Sequence, residues 1–69
     1  MTRLEKLTSE RARVFHRIGN LYVELSTMPT ELPEYVKYLQ EIAALKLEVT
    51  KLQRRIVVAR MRKLEKYLA

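Results

Sequence analysis

Pro29 and Pro33 divide the chain into two long stretches in which apolar residues recur at alternating steps of three and four. This pattern limits the chain to amphipathic helices that meet at one loop. Before the break, Leu4, Leu7, Val14, Ile18, Leu21, Leu25 and Met28 keep a seven-residue repeat that only Arg11 interrupts. After it, Tyr35, Tyr38, Ile42, Leu45, Val49, Leu52, Ile56 and Ala59 do the same. Thr2 followed by Glu5 has capping-box spacing, so the first helix is predicted to start near Arg3. Pro29 drives Met28 out of the helical region, and Pro33 suits the first turn of a new helix, because its missing N–H has no partner there. Glu31 and Glu34 complement the positive end of that helix and read as helix-start residues, not as a pair of catalytic carboxylates. The predicted helices cover residues 3–27 and 33–68.

A short loop between amphipathic helices predicts an antiparallel hairpin. Folding about residue 30 sets Leu25 near Tyr35, Leu21 near Leu39, Ile18 near Ile42, Arg11 near Val49 and Glu48, and Leu4 near Ile56. At 1.5 Å per residue the second helix outruns the first by about 16 Å, so residues beyond Val58 should overhang. The seam fails at the same place: Lys63 and Lys66 take its next positions, and the apolar residues move to Val57, Met61, Leu64 and Leu68, about 100° around the helix. Phe15 and Tyr22 sit one position beyond the first seam and widen it into a stripe that needs more than one neighbour. The chain has no cysteine and one histidine in 69 residues, so disulfide and thiolate-metal staples are missing, and a core of this size rarely supplies more than about 3–5 kcal/mol. The expectation is an all-α single domain over residues 1–69, a hairpin that dimerises into an antiparallel four-helix bundle with its C-terminal helix end overhanging. As an arrangement of helices this resembles the Rop-like dimeric hairpins, which regulate through RNA; no shared motif carries residue roles across.

The formal charge of +6 is unevenly spread. Residues 1–20 carry five basic and two acidic groups, residues 21–50 two and five, and residues 51–69 seven and one, for sums of +3, −3 and +6. In a hairpin the first and last segments lie together, which makes a basic open end of +9 and an acidic loop end of −3. Lys51, Arg55, Arg62 and Lys66, at steps of four, seven and four, line one face of helix 2, with Arg54 beside them; Arg13 and Arg17 extend the patch from helix 1. A run of cations on a long helix is commonly only a solvated face, but its segregation to one end points to a nucleic-acid backbone. The stripe of Val57, Met61, Leu64 and Leu68 is the candidate surface for a helical protein partner, and a basic tail on an anionic membrane is a third option. Expected partners are therefore a second copy of the chain as homodimer or higher oligomer, DNA or RNA, and an acidic or helical protein.

Catalysis is not expected. His16 lacks companions for a metal site, Ser9 is seven residues from it along a helix, and one glycine cannot build a phosphate-cradling loop. Glu41 and Glu48 have no Glu-x-x-His beside them, so they read as partners for basic neighbours. No cofactor is implied. Without a transmembrane stretch or an apolar signal core, an intracellular, cytoplasmic location is expected, and the abundance of Glu, Lys and Arg also suits a thermophile. Arg11, the one charge in the seam, reads as a register-fixing residue that costs stability, or as a rim residue whose head reaches water. Replacing it with leucine should raise stability or loosen the oligomeric state, and a lower midpoint in a urea titration of Arg11→Leu would overturn the register role.

Overall fold

The first helix begins where the Thr2 hydroxyl can serve its free N–H groups. In the computed structural model, which describes residues 1–68, Thr2 is extended (φ −73°, ψ 163°) and its Oγ1 accepts the Glu5 N–H at 3.2 Å. The Glu5 carboxylate in turn accepts the Thr2 hydroxyl, also at 3.2 Å, where a full capping box would use the Thr2 backbone N–H. Helix α1 spans Arg3–Thr27 and helix α2 spans Pro33–Leu68. Between them Met28 is extended (φ −91°, ψ 133°), the conformation that a following proline imposes, and its N–H donates to the Leu25 carbonyl at 3.2 Å. The Leu32 N–H closes a turn onto the Pro29 carbonyl at 3.3 Å, and Pro33 enters α2. No described residue has a positive φ, so the loop needs no glycine.

The two helices pack along the predicted seam as a hairpin. Near the loop, Ile18, Leu21 and Leu25 bury against Ile42, flanked by Val14, Met28, Tyr35, Tyr38, Leu45 and Val49. Toward the open end Leu7 meets Leu52 and Ile56, flanked by Leu4, Val14 and Ala59. Leu21 and Ile56 are all but sealed from solvent, 1% and 0% exposed. No polar side chain is buried among the described residues. Ala59 is the last α2 residue to reach this core, and residues 60–68 are all exposed, so the overhang is about 13 Å at 1.5 Å per residue. The molecule measures 58 × 18 × 14 Å. Among the described residues no helix is long and apolar enough to cross a membrane.

Two placements differ from the expected ones. Leu39 does not meet Leu21; it is exposed, and Tyr38, one residue earlier, packs against the cluster that holds Leu21. Arg11 does not meet Glu48. Its Nη1 donates to Gln53 Oε1 at 2.6 Å, because Glu48 and Gln53 stand on opposite edges of the α2 seam and the Arg11 side chain leaves on the Gln53 side. Phe15, one position beyond the seam as its spacing indicates, is 54% exposed in the single hairpin.

The seam predicts an uneven stability map. Ile56→Ala should cost about 3 kcal/mol, within the range for truncating a sealed core residue. Tyr67→Ala in the overhang should change stability by less than about 0.5 kcal/mol. Urea titrations of both variants at one fixed protein concentration check the contrast.

Candidate nucleic-acid interface

Helical periodicity carries Arg55 and Arg62 of α2 to one side of the hairpin, near its open end. Glu41, Glu48, Arg55 and Arg62 are seven residues apart and so share a face, and the first of them identifies which side it is. Arg17 Nη2 lies 2.9 Å from Glu41 Oε1, and Arg17 Nε donates to the same oxygen at 3.3 Å. The face with Arg55 and Arg62 is therefore the side on which Arg17 leaves α1. Arg13, one turn before Arg17, shares that side and is exposed. Arg17 itself is engaged by Glu41; both groups are well exposed, so the pair contributes at most about 1 kcal/mol.

At the open end the structure gathers more positive charge than the stripe alone predicts. A groove of about 510 Å³ is walled by Arg54, Arg55, Arg62, Lys63 and Lys66 of α2 and by Thr2 and Arg3 at the start of α1, over a floor of Leu4, Val58 and Ala59. Four of the predicted contact residues, Arg54, Arg55, Arg62 and Lys66, thus meet in one place. Lys51 is exposed but lies one turn short of the groove, and Arg13 and Arg17 stand farther along α1. Arg3 and Lys63 are the two wall residues that periodicity overlooks. Lys63 stands where the seam fails, and Arg3 lies inside a capping motif; the hairpin register, which sets residue 3 across from residue 57, is the signal that places Arg3 at the groove. Among the described residues none of these six cations has an ion-pair partner. Six like charges within one groove set up a positive potential that draws an anionic polymer and weakens as salt rises.

The opposite end is acidic and aromatic. Tyr35 and Tyr38 are half-buried against the loop-end core, and Lys46 Nζ sits 5.3 Å from the centroid of the exposed Tyr22 ring. The Glu24 carboxylate beside the Tyr38 hydroxyl, first as a hydrogen-bond acceptor and then as a negative charge, holds that phenol above its ordinary pKa. These tyrosines stand away from the basic groove, an arrangement unlike an aromatic base-stacking platform. His16 is exposed, and among the described residues no three His, Cys, Asp or Glu side chains come together. Val57, Met61, Leu64 and Leu68 are all exposed, from 45% at Val57 to 79% at Leu68. No protein-family model, curated protein or solved structure matches the chain.

Because the folded state favours the neutral Tyr38 phenol, the stability this group contributes is complete below the unfolded phenol pKa of about 10 and is lost as pH rises through the higher folded value. Tyr38→Phe should remove that alkaline loss. Chemical denaturation of both proteins between neutral and strongly alkaline pH should show the wild type falling relative to the variant.

Proposed function

We propose that this chain is a non-catalytic, homodimeric helical-hairpin protein that binds the nucleic-acid backbone through its basic open end, in a regulatory or architectural role. The observation that carries this reading is the groove of six cations, Arg3, Arg54, Arg55, Arg62, Lys63 and Lys66, formed where α2 outruns α1. Guanidinium and ammonium groups at this density suit phosphate oxygens, and exposed side chains bring no base-reading geometry, so the contacts position a backbone and do not select a sequence. Leu4, Val58 and Ala59 on the floor keep the neighbouring positive groups spread along the rim.

A second reading is favoured by one feature: Val57, Met61, Leu64 and Leu68 follow steps of four, three and four and are all exposed. That spacing is how an amphipathic helix presents itself to a partner helix, as in an adaptor. The two readings break differently. The pair Arg55→Glu and Arg62→Glu should abolish binding to duplex DNA and structured RNA, measured by fluorescence anisotropy, while Leu64→Glu leaves it within a factor of two or so. Wild-type affinity for duplex should fall with a log–log salt slope near −3.6 if four phosphates are engaged. Absence of binding to either nucleic acid at about 50 mM salt, where such contacts are strongest, would overturn the first reading in favour of the adaptor.

A further inference from the structure

On the side of the hairpin away from the Arg17–Glu41 ion pair, around Lys46 and the Arg11–Gln53 hydrogen bond, both helices expose apolar residues. Lys46 Nζ over the Tyr22 ring shows that residue 46 of α2 and residue 22 of α1 leave their helices on one side. Phe15, seven residues before Tyr22, shares that side of α1, and Leu39, seven before Lys46, shares that side of α2. Val57 and Met61 continue the α2 surface, both of them exposed. On α1, Ala12, Phe15, Gly19 and Tyr22 follow steps of three, four and three, a second seven-residue repeat beside the buried one. A Cβ at Gly19 would meet nothing within 4 Å, so a gap between Phe15 and Tyr22 stands open to an incoming side chain. Helix α1 thus carries two repeats, one that closes the hairpin and one that faces outward beside the exposed Leu39, Val57 and Met61 of α2.

We propose that a second copy of this chain covers the outward repeat, stacked face to face and antiparallel, so that each acidic loop end lies beside the partner's basic open end. Exposed apolar residues gathered on one side of a small hairpin mark an interaction surface. The whole side, polar residues included, is about 18 Å wide over the length where the helices run together, roughly 650 Å² in projection, the same order as the ~800 Å² that each partner brings to a standard interface. A two-fold arrangement satisfies identical faces with each other. Charge selects the direction: antiparallel stacking sets −3 beside +9 at both ends, whereas parallel stacking gathers +18 at one. The ion-pair side, with Arg13, Arg55 and Arg62, stays free. The proposal deepens the homodimer part of the reading above and does not depend on nucleic-acid binding.

Sedimentation equilibrium on the full chain should give twice the 8.2 kDa chain mass. Leu39→Glu and Phe15→Glu, both at positions exposed in the hairpin, should weaken dimerisation about 100-fold with helix content by circular dichroism unchanged. Ala44→Glu, on the ion-pair side seven residues before Lys51, should leave the dimer intact. Because the chain has no cysteine, Thr30→Cys takes a single spin label, and the label-to-label distance in an antiparallel stack should exceed about 35 Å, nearly the length of α1. A mass of one chain at about 200 µM would overturn the stack. So would dimers that survive both Leu39→Glu and Phe15→Glu, or a label distance below about 20 Å, the width of two packed helices. A monomer that still binds duplex with the predicted salt slope would remove the stack and leave the nucleic-acid reading standing.

Discussion

The strip of apolar side chains between α1 and α2 is the contact on which the rest of the molecule depends. A helix of 25 residues is only marginally stable alone in water, and α1 also carries a glycine near its middle. What holds it is the burial of Leu7, Ile18, Leu21 and Leu25 against Ile42, Leu52 and Ile56. Seven buried side chains are few for a folded chain, and none of them is polar, so the seam supplies cohesion without any hydrogen-bonded specificity of its own. Register comes instead from the loop, where Met28, Pro29 and Pro33 leave little freedom in how α2 returns, and from the cross-links Arg11–Gln53 and Arg17–Glu41 at the seam's edges.

Once that seam is set, the leftover residues acquire meaning. The two helices have unequal lengths, 25 and 36 residues, so pairing them from the loop outward must leave one end of α2 unpaired. The unpaired end is also where the apolar repeat gives way to Arg60, Lys63 and Lys66, residues that a paired helix would have to bury at high cost. Arg3 joins them only because the hairpin returns α2 to the beginning of α1. A formal charge of +6 becomes a polarised object with one strongly basic end. The same seam sorts the remaining surface into a side where Arg17 meets Glu41 and a side with Phe15, Tyr22 and Leu39.

Much of this was legible from residue spacing. Every position assigned to the two repeats, from Leu4 to Met28 and from Tyr35 to Ala59, is buried or half-buried, Arg11 included, and both helices begin and end where Thr2, Pro29 and Pro33 indicate. Periodicity succeeds here because a helix brings residues three and four apart onto one face whatever lies opposite. It succeeds less well across the seam. Folding about residue 30 placed Leu39 against Leu21 and Glu48 against Arg11, whereas Tyr38 and Gln53 take those places. A level along the helix axis is not a side of it, and numbers that add to the same sum can stand on opposite edges.

The basic stripe shows the same division. Arg54, Arg55, Arg62 and Lys66 could be grouped from steps of one, four and seven on a single helix. Arg3 and Lys63 entered the groove only with the hairpin built, and Arg17 left the set of unpaired cations when Glu41 came within 2.9 Å. The sequence by itself determined two helices, one loop, the buried stripe and the segregation of charge, because each depends on local backbone preference and on spacing along one chain. Only the tertiary structure decided which cations share a groove, which are neutralised and which apolar residues remain outside the core. Those outcomes depend on how two helices are rotated against each other, and no repeat within either helix specifies that rotation.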